Sequence, residues 1–181
     1  VKIYQNLVDQ GYNDPRVLTN YAVIFQQLGK IEQANKFYRK SIQLFPDSPD
    51  AYNNLGVLCS NLGDYKEAEL LILKSIQLSP QYEQAFINIS DVFIKQDKLK
   101  EAEDSIRQAI RINSNSAYLF YKIGTILNDL AKFDEAEMET RKAINIDEDF
   151  SYAHYSLGSI LKSQGNLKEA EIELNKSIEL N

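Results

Sequence analysis

Apolar residues along this chain recur at the spacing of amphipathic helices. From residue 51 to residue 62 they stand at Tyr52, Leu55, Leu58, Cys59 and Leu62. From residue 65 to residue 78 a second series, which includes small residues, stands at Ala68, Leu71, Ile72, Ser75 and Ile76. Side chains three and four positions apart share one face of a helix. Gly63 lies between the segments, and glycine adopts the left-handed conformation that ends many helices. The pattern predicts a pair of helices joined by a short turn.

This helix pair recurs along the chain without insertions. Alanine stands at intervals of 34 positions, at Ala34, Ala68, Ala102, Ala136 and Ala170. Twelve positions before each alanine lies another small residue: Ala22, Gly56, Ser90, Gly124 and Gly158. Small residues at fixed points on two helices permit the two backbones to approach closely. We therefore expect five repeats, over residues 15–48, 49–82, 83–116, 117–150 and 151–181, preceded by residues 1–14 as the second helix of a partial repeat.

Local chemistry indicates where the helices begin, and apolar burial indicates what stabilises them. Asp14 and Ser48 each precede a proline, which is typical of a capping side chain before the first helical position.

A salt bridge between residues four positions apart, as between Glu103 and Arg107, contributes about 0.2–0.5 kcal/mol. Full burial of one Leu or Ile contributes roughly 1.5–3 kcal/mol. One hairpin cannot bury enough apolar surface alone, so stability must come from stacking neighbours in an all-α fold.

The second repeat carries the most complete set of signature residues. They are Tyr52, Leu55, Gly56, Cys59, Gly63, Tyr65, Ala68, Ile72, Ser75 and Pro80. With these residues at these offsets, the chain resembles the tetratricopeptide repeat. Departures from the family pattern include Asp97 and Ala131 at the turn glycine, and Ser114 and Glu148 at the closing proline. The resemblance implies a right-handed superhelical solenoid of antiparallel helix pairs, whose first helices line a concave groove that binds peptides or partner proteins.

Composition and charge exclude several other classes of partner. Hydrophobic residues make up 44% of the chain and charged residues 25%, with a net charge of −6. A negative chain attracts neither nucleic-acid phosphates nor anionic lipids, so we expect no nucleic-acid partner. No apolar run approaches the length of a membrane span, and we expect a cytoplasmic protein. Because the chain opens on Val1, we also expect it to be a piece of a longer protein.

Residues that could support catalysis or hold a metal are scarce. The chain has one cysteine, Cys59, and one histidine, His154, so a disulfide framework and a multi-histidine metal site are excluded. The glycines are dispersed and form no phosphate-binding loop. His154 stands where the repeat places a large aromatic residue, which favours a packed histidine over a catalytic one. We expect no cofactor, no metal and no enzymatic activity.

Amide side chains dominate the face that the resemblance assigns to the groove. Asn20, Asn54 and Asn88 share the sixth position of their repeats, next to Asn53 at a fifth position. A ladder of such amides could donate to and accept from a peptide backbone. This ladder is similar to the asparagine ladder of the O-linked N-acetylglucosamine transferase superhelix, but the last two repeats have Lys122 and Ser156 at the sixth position. We expect Lys122 to line the groove with the asparagines. The alternative is that these asparagines are merely tolerated on a solvated face.

Tyrosines replace amides in the last two repeats. They occupy the second and fifth positions of two neighbouring first helices, at Tyr118, Tyr121, Tyr152 and Tyr155. Tyrosine favours recognition surfaces because it offers flat apolar area, a polar tip and little rotamer entropy. Aromatic residues at helical spacing more often serve packing, and we favour packing here. We expect Lys122 and Lys162 to be solvated surface groups, which argues against a carboxylate-binding site.

Three functions are compatible with this sequence. The first is a non-catalytic scaffold that holds an extended peptide or partner protein in its groove. The second is a substrate-recruiting or regulatory segment of a larger enzyme, such as a glycosyltransferase or a sulfotransferase. The third is a self-assembly module, because the ends of the array should expose apolar residues and favour end-to-end association. Those residues are Tyr4, Leu7, Val8, Leu174 and Ile178.

The repeated alanines provide a direct test of the predicted close helix contact. Replacing Ala102 with leucine should lower the free energy of unfolding by about 1–3 kcal/mol, because the larger side chain overpacks the contact. Thermal unfolding followed by circular dichroism measures the change. An unaltered melting temperature would refute the contact.

Overall fold

The computed structural model describes residues 14–180, which are helical throughout apart from short turns. Ten α-helices lie within this range: α1 (Pro15–Gln27), α2 (Ile31–Leu44), α3 (Pro49–Asn61), α4 (Tyr65–Leu78), α5 (Glu83–Lys95), α6 (Leu99–Ile112), α7 (Ala117–Asp129), α8 (Phe133–Ile146), α9 (Ser151–Ser163) and α10 (Leu167–Glu179). The predicted all-α fold class is confirmed. The helix predicted for residues 1–14 lies outside the described residues, apart from Asp14.

The helices belong to two compact units, which we call the N-terminal lobe, Val1–Gln96, and the C-terminal lobe, Asp97–Asn181. In the N-terminal lobe, α1 pairs with α2 and α3 with α4, and α3 also contacts α1 and α5. In the C-terminal lobe, α7 pairs with α8 and α9 with α10, and α7 also contacts α9. The first helices of neighbouring hairpins are therefore adjacent within each lobe. We call the surface that they form the first-helix face of that lobe.

Close backbone approach within a hairpin depends on the repeated small residues. A Cβ atom added at Gly56 of α3 would lie 2.5 Å from Cγ1 of Ile72 and 3.2 Å from the carbonyl oxygen of Ala68 on α4. A Cβ atom at Gly158 of α9 would lie 2.7 Å from Cγ of Leu174 on α10. The distances to Ile72 and Leu174 are shorter than van der Waals contact permits, so a side chain at Gly56 or Gly158 would require these neighbours to move. The predicted contact of small residues is confirmed.

Helix starts agree only in part with the predicted capping residues. The Asp14 carboxylate accepts a hydrogen bond from the backbone N–H of Arg16, at 2.8 Å, as expected for a cap of α1. The prediction for Ser48 was wrong, because its hydroxyl makes no capping bond to α3. Pro49 still occupies the first turn, where its missing N–H costs nothing. Asp64 supplies a cap for α4 by accepting from Glu67 N–H at 3.1 Å.

Every hairpin turn uses a residue in the left-handed conformation. Gly63 and Gly165 have φ values of 85°, and Gly29 has a φ value of 71°. The same conformation occurs at Asp97, with φ of 60°, and at Ala131, with φ of 57°. A Cβ atom disfavours this conformation by about 1–2 kcal/mol. The packing of the helices thus imposes the turn geometry even where the sequence lacks glycine.

Replacing Ala131 with glycine should raise the free energy of unfolding by about 0.5–1 kcal/mol, because relief of the strained φ exceeds the entropy that glycine adds to the unfolded chain. Urea denaturation measures the difference. The matched control is Gly165→Ala, in the same turn of the next repeat, which should be destabilising by a similar amount. Equal stability of Ala131→Gly and the parent would contradict the assigned strain.

A buried carboxylate connects α6 with α8 and the turn before α8 in the C-terminal lobe. Glu103 on α6 is 8% exposed and accepts hydrogen bonds from Arg107 Nη2 at 2.7 Å and from Lys132 Nζ at 2.8 Å. Arg107 also lies 3.4 Å from Glu135 on α8. Burial alone would raise the pKa of Glu103, but the hydrogen bonds from Lys132 and Arg107 outweigh burial and lower it. The predicted pair of Glu103 with Arg107 is confirmed, as part of a larger network.

Because the pKa of Glu103 is lower in the folded state than its ordinary value of 4.5, its contribution to stability is complete above that pH. The contribution is lost as the pH falls through the folded-state pKa. Glu103→Gln should therefore lower the stability at pH 7 and give a shallower loss of stability on acidification. Urea denaturation between pH 7 and pH 3 tests this, with the exposed neighbour Asp104→Asn as control. Identical pH profiles for Glu103→Gln and the parent would disprove the role of the network.

Candidate functional site

A chain of side-chain amides crosses the first-helix face of the N-terminal lobe. The amide nitrogen of Gln84 donates to Oδ1 of Asn88 at 3.0 Å, and Nδ2 of Asn88 donates to Oδ1 of Asn53 at 2.8 Å. Nδ2 of Asn53 in turn donates to Oδ1 of Asn54 at 3.2 Å. We call Gln84, Asn88, Asn53 and Asn54 the amide chain. Asn53 is only 2% exposed, so its side chain has little freedom to move. Its hydrogen bonds therefore orient the more exposed side chains of Asn54 and Asn88.

The amide chain differs from the ladder that the sequence predicts. Asn54 and Asn88 lie on one face as expected, but they are linked through Asn53 and not stacked directly on each other. Asn20 is exposed and shares a concavity with Asn54. An amide carries two N–H donors and an oxygen with two lone pairs. Within the chain Asn54 uses only its oxygen, so hydrogen-bonding capacity remains for another molecule.

Two concavities meet at Asn54. One has a volume of about 420 Å³ and is lined by Val23, Gln26, Gln27, Tyr38, Asn54 and Val57. The other has a volume of about 350 Å³ and is lined by Pro15, Arg16, Thr19, Asn20, Ser48, Asp50 and Asn54. The first combines two valine side chains with amide groups and the Tyr38 hydroxyl, which donates to Oε1 of Gln26 at 3.1 Å. The second is polar and contains one cation and one carboxylate.

Aromatic rings cover the corresponding face of the C-terminal lobe. The ring centres of Tyr118 and Tyr121 on α7 lie 6.2 Å apart, and Tyr152 on α9 lies 6.2 Å from Tyr121. Phe150, just before α9, meets Tyr121 edge-on at 5.4 Å and Tyr152 at 5.9 Å. We call these four residues and Tyr155 the tyrosine surface. Phe150 was not among the predicted site residues, although an aromatic residue immediately before a helix beginning at Ser151 was a usable signal.

Most of the tyrosine surface is open to solvent. Tyr118 is 45% exposed, and Tyr152 and Tyr155 are each 61% exposed. Much of each of these three side chains is therefore open to solvent, although Tyr118 and Tyr152 also lie against Tyr121. A recognition role for these tyrosines stays a prediction. Tyr121 is half-buried, and burial raises its pKa, as does the nearby hydroxyl of Tyr118. Its hydroxyl therefore stays protonated at neutral pH and can donate a hydrogen bond.

The structure corrects the prediction for Lys122. This residue is 8% exposed, and its ammonium group lies 5.5 Å from the centre of the Tyr118 ring. It is therefore not the solvated surface group that we expected. Lys162 is exposed, as expected. The residues at the same position of earlier repeats, Asn20, Asn54 and Asn88, are not buried, so the repeat pattern did not predict the burial of Lys122.

The candidate reactive residues serve the core. His154 is 6% exposed, with Nδ1 at 2.7 Å from Glu173 Oε2 and Nε2 at 3.0 Å from the carbonyl oxygen of Glu148. This confirms a packed histidine. Burial, together with the Glu67 carboxylate, raises the pKa of the Cys59 thiol to about 11, which disfavours the reactive thiolate. Within residues 14–180, no group of three His, Cys, Asp or Glu side chains is placed to hold a metal ion.

Repeat-length matches to known families decide the classification. A family model described as tetratricopeptide repeat matches residues 15–48, 83–116, 117–150 and 151–181. A second model with the same description matches residues 37–69. The chain belongs to the tetratricopeptide repeat family. Its sequence has no significant match among curated proteins. Proteins with the tetratricopeptide fold are generally non-catalytic scaffolds for protein–protein interaction.

Solved tetratricopeptide structures have the same fold at low sequence identity. MamA residues 41–end from Desulfovibrio magneticus RS-1 gives a TM-score of 0.82 at 20% identity, covering 92% of this chain and 94% of that chain. YrrB, described as a tetratricopeptide protein with an unusual peptide-binding site, gives a TM-score of 0.78 at 22% identity, and the match covers 98% of this chain and 92% of that chain. PilF of Pseudomonas aeruginosa gives a TM-score of 0.82 at 16% identity, and the match covers 92% of this chain and 76% of that chain. These similarities establish the fold.

Membrane insertion through a helix has no support in the described part of the chain. Each of its helices is too short or too polar to span a bilayer.

Proposed function

We propose that this tetratricopeptide chain is a non-catalytic scaffold that binds an extended peptide segment of a partner protein on its first-helix faces. The observation that carries the proposal is the position of Asn54. Its side chain lines both concavities of the N-terminal lobe, and the amide chain holds it in place.

An extended peptide presents backbone N–H and C=O groups that need partners when water is displaced. Asn54 and Asn20 offer both donors and acceptors, and so can satisfy either kind of backbone group. Because the amide chain fixes Asn54 before binding, less side-chain entropy is lost when the peptide binds. Recognition through the backbone tolerates many peptide sequences.

The apolar concavity adds a preference for one kind of side chain. Val23 and Val57 supply apolar wall next to Asn54, so a peptide fixed at Asn54 can place an aliphatic side chain between them. Burial of apolar surface there adds affinity to the backbone contacts. YrrB, which shares the fold, is described as having a peptide-binding site, and this similarity supports a peptide as ligand.

A second candidate function, end-to-end self-association, is favoured by the exposed apolar residues of α10. Leu167 is 65% exposed and Ile178 is 73% exposed. In the preceding repeat, Ile144 occupies the position of Ile178 and packs against Leu157 and Leu161 of the next hairpin. The same face of α10 is therefore suited to contact with another helix. Sedimentation of the parent chain and of Ile178→Glu over a range of concentrations tests this function.

Selection of peptides from a phage-displayed random library, followed by fluorescence anisotropy with the selected peptides, tests the scaffold function. Asn54→Ala should weaken binding about five- to tenfold, the usual effect of losing one or two hydrogen bonds. The matched control is Asn175→Ala, which removes an exposed asparagine of α10. Circular dichroism confirms that both variants remain folded. The proposal fails if no peptide is selected, or if selected peptides bind Asn54→Ala as tightly as the parent.

A further inference from the structure

The polar concavity beside Asn54 is lined by two charged side chains that are not equivalent. Arg16 belongs to an ion pair, because its Nη2 lies 2.9 Å from Oδ2 of Asp14 and its Nε lies 3.2 Å from Oδ1. Asp50 instead accepts a hydrogen bond from a neutral donor, the hydroxyl of Tyr82. The charge of Arg16 is therefore offset by its own partner, while the hydroxyl of Tyr82 leaves the charge of Asp50 in place.

We propose that the polar concavity binds a lysine or arginine side chain of the peptide, about two to four residues from the aliphatic side chain that enters the apolar concavity. This inference rests on the proposed scaffold function. It specifies the pair of side chains by which the N-terminal lobe selects its peptide ligand.

Other groups in the wall of the polar concavity can share the binding of a cation. Asn20 and Ser48 add side-chain oxygens to the wall that holds the Asp50 carboxylate. The Ser48 hydroxyl makes no capping bond to α3 and can accept from a ligand. A hydrogen bond between an ammonium or guanidinium group and a carboxylate is roughly twice as strong as one between neutral groups. A basic side chain is therefore favoured over a neutral polar one.

Tyr82 orients the Asp50 carboxylate without neutralising it. Burial raises the pKa of Tyr82, and its hydrogen bond to Asp50 raises this pKa further. The phenol therefore stays protonated at neutral pH and donates to the carboxylate, whose remaining lone pairs can accept from a ligand. The positive end of the α3 dipole, equivalent to roughly half a charge, offsets only part of the Asp50 charge. The net charge of −6 on the whole chain also favours a basic ligand over an acidic one.

Helix geometry sets the distance between the two side chains of the ligand. Asp50, Asn54 and Val57 follow one another on α3 at intervals of four and three positions, so they share one face of the helix. At 1.5 Å per residue, Asp50 and Val57 are separated by about 10 Å along the helix axis. An extended peptide advances about 3.3 Å per residue, so two to four residues span about 7–13 Å. A peptide that lies along α3 over Asn54 can therefore reach both concavities.

Peptides that the parent chain selects from the random library should be enriched in lysine or arginine near an aliphatic residue. In fluorescence anisotropy, Asp50→Asn should weaken binding of such a peptide about fivefold, because the charge is lost while an oxygen that accepts from Tyr82 is kept. Replacing the basic residue of the peptide with glutamine should weaken binding to the parent by a similar factor. The same replacement should have little effect on binding to Asp50→Asn. The matched control is Asp104→Asn, which removes an exposed carboxylate of α6 and should bind like the parent.

Circular dichroism shows whether Asp50→Asn remains folded, and the glutamine-substituted peptide tests the same contact on the unchanged protein. The inference is overturned if the selected peptides lack basic residues, if the glutamine peptide binds the parent equally well, or if a folded Asp50→Asn binds like the parent. Any of these results with peptides that depend on Asn54 would refute the inference alone and support the scaffold function. Failure to select any peptide would refute both proposals.

Discussion

A single hairpin in this protein has more apolar surface than its two helices can bury against each other, so each hairpin depends on its neighbours. The last hairpin shows how the neighbour supplies cover, since Ile144 of α8 packs on a cluster formed by Leu157, Leu161 and Ala170 of α9 and α10. Stacking in turn requires that the helices within a hairpin be close. Gly56 and Gly158 provide that closeness, because a methyl group at either position would collide with Ile72 or Leu174 of the opposing helix as these side chains now stand.

Charged residues refine this stack but do not hold it together. Arg39 on α2 reaches Glu67 on α4, and Arg141 on α8 reaches Glu169 on α10, so ion pairs bridge second helices of successive hairpins. These groups are largely exposed, and such pairs contribute at most about 1 kcal/mol. Glu103 is the exception, because its burial makes the hydrogen bonds from two cations necessary. Apolar packing therefore determines the fold, while buried polar groups specify details within it.

The same stacking creates the two candidate binding surfaces. First helices lie side by side within each lobe, so residues at equal positions of successive repeats become neighbours. In the N-terminal lobe this places amides together, and in the C-terminal lobe it places tyrosines together.

The sequence by itself determined the helices, their pairing and the small-residue contacts, because these follow from periodicity and a fixed repeat length. The range predicted for one helix, residues 65–78, is the range of α4. Tertiary structure alone decided how side chains from different hairpins meet. It linked Asn88 to Asn53 and buried Lys122. These outcomes depend on the rotation and spacing of neighbouring hairpins, which no local pattern of residues encodes.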